Sequence, residues 1–324
     1  MSPLTRLRTA TGARVESDIT RRSTNVQSSC GVHQTTALEA SPAVPRLLYR
    51  AVTLTDLFNA DVMIERDVPY LGDEGGARHR LDIYARPDAS GLPVAIFFHG
   101  GGWRSGDKRL FEHLGRALAL RGIVTVIVNY RLTPQVRHPL HARDCAASVA
   151  WVVKSIALRG GDPERIFLTG HSSGAHLALL LTLDRRYLTQ VGLPERPIRG
   201  TVTLSGAVDL TLHVETTHYT TREQIEEAFG STLSELVDAS PITYIHSDLP
   251  PILIIVAEGD SDGLKAQAKR FADLLREAGA DVVSLRIKGR DHFSIVRRFG
   301  PFDDTTAGAV ADFINHFSVL RSGA

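Results

Sequence analysis

The stretch Gly-His-Ser-Ser-Gly-Ala-His, residues 170–176, sets two hydroxyls side by side between two glycines. Centred on Ser172, it fits Gly-x-Ser-x-Gly. A serine in that setting can attack a carbonyl if it stands on a sharp turn, with its side chain projecting clear of the backbone. Glycine two residues to either side removes the Cβ atoms that would collide with the flanking strand and helix. A helix starting at this point aims free N–H groups and a positive dipole end at developing negative charge. Ser173 is displaced from the apex. What it can supply is its backbone N–H, as one donor to an oxyanion. The chemistry implied is nucleophilic acyl transfer through Ser172.

Such a serine needs a second oxyanion donor, a base and a carboxylate that orients the base. His-Gly-Gly-Gly-Trp, residues 99–103, directly follows an apolar run, and Gly101 and Gly102 can turn their N–H groups into a site. The stretch is not a phosphate loop, because it lacks both G-x-x-x-x-G-K-[ST] and G-x-G-x-x-G. His99 is expected to brace this loop by hydrogen bonding. In a doubly wound sheet carrying this motif the partners follow in the order serine, acid, histidine. His292, in Gly-Arg-Asp-His-Phe-Ser, lies between the last strand and the last helix and is the expected base. His316 falls inside that last helix, and His171 and His176 are too near the turn to reach over it. The acid is sought in Glu-Gly-Asp-Ser-Asp-Gly, residues 258–263. Asp260 comes first, far enough past its strand to clear it, with Asp262 as the alternative. Asp291 is read as loop structure.

These groups must be brought together by the elements between them. Ile64–Tyr70 and Leu81–Ala85 read as strands around a Gly-rich turn, with a hairpin at one sheet edge as their expected arrangement. Apolar runs at 94–99, 123–130, 165–170, 201–206, 252–257 and 282–287 read as buried strands. Helical spacing covers 108–122, ending at Gly122, then Cys145 to Ile156, the almost wholly apolar 173–183, Leu264 to Ala278, and Val310 to Phe317. Strands alternating with helices predict an α/β fold, with a mostly parallel central sheet and helices on both faces. The more polar stretch at about 210–248, with a short helix at 222–229, is expected to be a small cap insertion.

The bulk numbers agree with one large domain. The chain has 324 residues, is 43% hydrophobic and 23% charged, and carries a formal net charge of +1. A near-neutral balance argues against a nucleic-acid partner. No apolar run reaches the roughly 18 residues a membrane span needs. The two cysteines, Cys30 and Cys145, are expected to be reduced thiols, and no metal-ligand spacing is present. Residues 1–45 are rich in Ser, Thr and Arg and are expected to be a disordered extension, leaving 46–324 as the catalytic domain. The expected location is the cytoplasm.

The combination of His-Gly-Gly-Gly-Trp, Gly-His-Ser-Ser-Gly-Ala-His, the Asp260 loop and Asp-His-Phe (291–293) resembles the α/β-hydrolase fold. More narrowly it resembles the HGGG-type carboxylesterases, which include hormone-sensitive-lipase-like enzymes and kynurenine formamidases. Val-Asn-Tyr-Arg-Leu (128–132) and the run from Gly160 to His176 are similar to that group as well, and the resemblance covers about residues 64–320. It implies Ser172 as nucleophile, Asp260 as acid, His292 as base, and the N–H groups of Gly101, Gly102 and Ser173 as the oxyanion hole. Gln267, a few residues after the acid, strengthens Asp260 over Asp262. The implied activity is hydrolysis of small short-acyl esters without a cofactor or metal, with N-formylkynurenine hydrolysis as the alternative. A binding protein that keeps the fold without catalysis is the reading from another class. Expected partners are a small-molecule ester, with no nucleic acid and no membrane span, and a homodimer remains open.

Overall fold

The computed structural model describes residues 62–194, 196–212 and 219–319. The expected extension at 1–45 and Cys30 lie outside these residues.

Eight strands form one sheet. They are β1 (Met63–Pro69), β2 (Arg80–Ala85), β3 (Leu92–Phe98), β4 (Val124–Val128), β5 (Gly161–His171), β6 (Gly200–Leu204), β7 (Ile252–Ala257) and β8 (Val282–Ile287). Their spatial order is β1-β2-β4-β3-β5-β6-β7-β8. β1 pairs antiparallel with β2, and β2 pairs antiparallel with β4. Every other neighbouring pair is parallel. The expected hairpin is therefore the antiparallel edge of a mostly parallel sheet.

Helices cover both faces. The main ones are α1 (Glu112–Leu120), α2 (Leu140–Ser155), α3 (Ser173–Leu183), α4 (Arg185–Gln190), α5 (Arg222–Phe229), α6 (Leu233–Asp238), α7 (Asp262–Glu277), α8 (Ser294–Arg297) and α9 (Thr305–Val319). The side chains of β3 show how the layers divide. Val94, Ile96 and Phe98 point to a core shared with Cys145 and Val149 of α2 and Leu177 and Leu180 of α3. Ala95 and Phe97 point the other way, to Leu114 and Leu118 of α1 and Val310 and Ile314 of α9. This alternation is the period-2 geometry of a strand buried on both faces. Every residue of α3 is buried, which accounts for its apolar composition.

β5 starts at Gly161, ahead of the expected 165, and the helix expected from Cys145 starts at Leu140; two other boundaries differ for evident local reasons. The predicted helix at 108–122 opens as a 3-10 turn, Lys108–Phe111, because the Asp107 side chain caps it at the Arg109 N–H. β6 stops at Leu204, because Ser205 adopts φ 50° and turns out of the strand direction. Among the described residues, no helix is long and apolar enough to cross a membrane.

Candidate active site

Ser172 occupies the sharp turn between β5 and α3 with φ 53° and ψ −120°. That conformation is costly for a residue bearing a Cβ and persists only where the surroundings fix it. Two backbone bonds do so: the Ser172 N–H donates to the Leu204 carbonyl at 2.9 Å, and the Ser172 carbonyl accepts from His176 N–H at 3.1 Å. The turn also demands close contact with β3. A Cβ on Gly174 would lie 2.0 Å from the Phe98 carbonyl oxygen, so only glycine fits there.

The structure brings the three residues expected to react into one hydrogen-bonded chain. Ser172 Oγ lies 3.0 Å from His292 Nε2. His292 Nδ1 lies 2.9 Å from Asp260 Oδ1. The second carboxylate oxygen of Asp260 accepts from Ser205 Oγ at 2.6 Å and from the Ala257 N–H at 2.7 Å. With the acid accepting at Nδ1, the neutral imidazole carries its proton there and presents Nε2 to the serine. Asp260 is buried, and burial works to raise its pKa. The hydrogen bonds from His292 and Ser205 outweigh that and hold the carboxyl below its usual range.

The expected alternatives lie elsewhere. Asp262 is fully exposed in the first turn of α7 and pairs with Lys265. Glu258 accepts from the Gly289 N–H. Asp291 accepts from the N–H groups of Phe293 and Ser294, which makes it loop structure. His316 is exposed on α9 against Phe317.

Gly101 and Gly102 follow β3 with φ values of 129° and 60°. The Gly101 carbonyl accepts from the N–H groups of Arg104 and Ser105 and from Ser105 Oγ. A Cβ on Gly101 would meet the Ser105 carbonyl oxygen at 2.2 Å. Ser173 opens α3, so its N–H has no acceptor within the helix. Gly101, Gly102, Ser172, Ser173 and His292 line one cleft of about 440 Å³, together with Trp103, Arg104, His171, Ala207, Tyr219, Thr220, Gln224 and Phe293. Trp103 and Phe293 are its two large aromatic walls besides Tyr219. Trp103 is fully buried, and Phe293 is exposed at the rim.

Three further histidines, His99, His171 and His176, brace this cleft, and sequence reasoning caught only His99 in that role. Arg78 Nη2 donates to His99 Nε2 at 3.0 Å, which leaves the Nδ1–H to donate to the Gly100 carbonyl at 2.9 Å. Tyr130 stacks on the same ring and donates to the His99 carbonyl at 2.8 Å. His171 Nε2–H donates to the His292 carbonyl at 2.7 Å, holding the loop that carries the base. Trp103, at φ 58°, donates from Nε1 to His176 Nδ1 at 3.3 Å, and His176 Nε2–H donates to the Ala239 carbonyl at 2.8 Å. Burial lowers the pKa of His99 to about 4. Burial, with the neighbouring His292, lowers that of His171 to about 3. Both rings stay neutral at neutral pH. The two histidines flanking the serines are thus supports for other parts of the site, a role their sequence position did not signal.

Tyr219 was also missed. Its ring stacks on His292 with centroids 3.8 Å apart and planes 13° from parallel. Among the described residues, no group of three His, Cys, Asp or Glu side chains is gathered as a metal site.

Comparison with known proteins gives the same outline. Residues 81–275 match the family model BD-FAE. The chain is 34% identical over 273 residues to esterase LipQ of Mycobacterium tuberculosis, covering 80% of this chain and 63% of that one. It is 30% identical over 235 residues to kynurenine formamidase of Danio rerio, covering 72% of this chain and 75% of the relative. Among solved structures it resembles a hyperthermophilic esterase from the archaeon Pyrobaculum calidifontis, with a TM-score of 0.67 and 27% identity, covering 81% of this chain and 87% of that one. LipQ is substantially longer than the part this chain matches. With an α/β-hydrolase sheet and a family match across its centre, the chain belongs to the BD-FAE family.

Proposed function

We propose that the chain is a serine carboxylesterase that hydrolyses small, short-acyl carboxylic esters through an acyl-enzyme. The observation that carries this reading is the unbroken chain from Asp260 through His292 to Ser172, with links of 2.9 and 3.0 Å. His292 Nε2 takes the Ser172 proton as Oγ attacks the ester carbonyl carbon. The carbonyl electron pair moves onto oxygen, and the N–H groups of Gly101, Gly102 and Ser173 receive it. Collapse of the adduct breaks the bond to the alkoxy oxygen, which leaves with the proton from His292 as alcohol. Water then repeats attack and collapse on the acyl-enzyme, releasing the acid and restoring Ser172. Asp260 keeps the imidazole in its Nδ1–H form and offsets the positive charge it carries while holding the proton.

The cleft of about 440 Å³ and its rim of Thr220, Gln224 and Arg104 favour a compact substrate with a polar portion. In this reading the segment at about 210–248 is the cap, and the chain acts in the cytoplasm on a small molecule, with no nucleic-acid partner, as a monomer or homodimer. A second reading, formamide hydrolysis, is favoured by the Danio rerio relative, three quarters of whose length the chain covers. The same proton path serves an amine leaving group.

Purified protein assayed side by side on p-nitrophenyl acetate, p-nitrophenyl decanoate and N-formylkynurenine tests the proposal. Acetate is expected to turn over fastest. Preference for N-formylkynurenine by more than tenfold in kcat/KM would select the second reading. Ser172→Ala should remove activity on all three, and near-normal turnover by that variant would reject the site.

A further inference from the structure

The stacking of Tyr219 on His292 goes beyond ordinary cleft packing. The phenol ring is pinned from two directions. Its oxygen accepts from the backbone N–H of Ser261 at 3.2 Å, one residue past Asp260. Phe293 meets the ring edge-on, with centroids 6.3 Å apart and planes at 86°. The imidazole is also approached by the tilted ring of His171, with centroids 4.9 Å apart.

Among the described residues, four charged or titratable groups surround the imidazole. Asp260 is at Nδ1. His171 bonds the His292 carbonyl and is neutral. Asp291, next in sequence, directs its carboxylate to the N–H groups of Phe293 and Ser294. Tyr219 covers the ring. None of these is a cation, so a positive charge on the imidazole meets one carboxylate at its edge and one aromatic face.

An aromatic face attracts a cation held over it within about 6 Å. His292 is neutral while it waits for the serine proton and becomes a cation only once Oγ has released that proton to Nε2. An interaction that strengthens between those two states lowers the barrier, whereas one equally strong in both does not.

We propose that Tyr219 is a positioning residue for the reaction: its ring fixes the plane of the His292 imidazole between Asp260 and Ser172 and stabilises the imidazolium formed by proton transfer. This rests on the roles assigned to Ser172, His292 and Asp260 under the proposed function. The step moves one proton from Ser172 Oγ to His292 Nε2 and requires no other reactant. It also gives the segment between β6 and β7 a part in the chemistry, because Tyr219 is contributed from there.

The test is the pH profile of kcat and kcat/KM for p-nitrophenyl acetate between pH 5 and 9. It compares wild type with Tyr219→Phe, Tyr219→Leu and Tyr219→Met. The two non-aromatic variants should lose roughly tenfold in kcat with little change in KM, as expected for a lost cation–π contact. Their acidic limb should move to lower pH, since the imidazolium is less favoured. Tyr219→Phe should shift the limb less than either aliphatic variant, because the ring is retained and what is lost is the phenol oxygen, with its bond to Ser261 and its place beside Asp260. If one aliphatic variant fails to fold, the other carries the comparison. An unmoved or raised limb in an aliphatic variant overturns the proposal, and so does a Phe variant shifted as far as Leu. Ser172→Ala separates the two levels. Near-normal turnover there refutes the site itself, whereas a loss of orders of magnitude there with an unmoved limb in the aliphatic variants refutes the role of Tyr219 alone.

Discussion

The loops carrying Ser172, Asp260 and His292 differ in how they are held from the segment between β6 and β7 that lines the cleft with them. The first group is held by backbone bonds to the sheet and by buried polar side chains. Ser172 is fixed by bonds to Leu204 and His176, and Asp260 by the Ala257 N–H and Ser205. Gly174 admits β3 to a distance that no other residue permits. The segment between β6 and β7 is held by helix caps, ring contacts and a backbone bond from the His138 N–H to the Ala228 carbonyl at 2.8 Å. α5 and α6 each start with a capping box, Thr221 with Gln224 and Thr232 with Glu235. α5 rests Phe229 edge-on against Trp103, with centroids 4.8 Å apart. α6 buries no residue at all. The reacting geometry is thus tied to the sheet, and the segment between β6 and β7 reaches it through Tyr219.

Predictions that would break or sharpen this contrast run from large to small. Gly174→Ala forces a Cβ against the Phe98 carbonyl, so the turn or the strand must move. The expected loss is more than about 3 kcal/mol of stability, with little folded protein recovered. Urea unfolding checks it, and a loss under about 1 kcal/mol would mean the turn is looser than its packing implies.

Acid should weaken the sheet-tied region next. His99 and His171 are neutral in the folded chain down to about pH 4 and about 3, whereas unfolded histidine binds a proton near 6.5. Their folded values are depressed, so the unfolded state takes up more protons as pH falls below about 6.5. Stability is therefore full above that pH and declines toward pH 4, by up to about 1.4 kcal/mol per pH unit for each ring. Urea midpoints at pH 7 and pH 5 measure this, and an equal or higher midpoint at pH 5 would contradict it.

The smallest effect belongs to the cover. Arg104 of the glycine loop pairs with Glu227 of α5, and both side chains are more than a third exposed. Glu227→Ala should cost no more than about 1 kcal/mol, and less in high salt. A change in kcat beyond about threefold would show that the cover governs the glycine loop more tightly than its contacts suggest.

The same contrast explains what could be read in the sequence. Ser172, Asp260 and His292 were legible as candidates because they follow β5, β7 and β8 by one, three and five residues and because the order serine, acid, histidine belongs to a sheet of this kind. α3 was legible residue for residue, since a helix buried all round has no polar face to blur its ends. His171, His176 and Tyr219 were not. Their partners are the His292 carbonyl, the Trp103 indole and the His292 ring, and no local periodicity encodes a contact between distant segments. The capping boxes of α5 and α6 were in principle visible as Thr-x-x-Gln and Thr-x-x-Glu. They were obscured by the polar composition of a stretch with few core residues.

The central claim is that one of two adjacent serines attacks. The most direct measurement is labelling with a fluorophosphonate, followed by mass mapping of the modified peptide. A single adduct on Ser172, lost in His292→Ala, is the predicted result. An adduct on Ser173, or hydrolysis of p-nitrophenyl acetate that persists in Ser172→Ala, would contradict it.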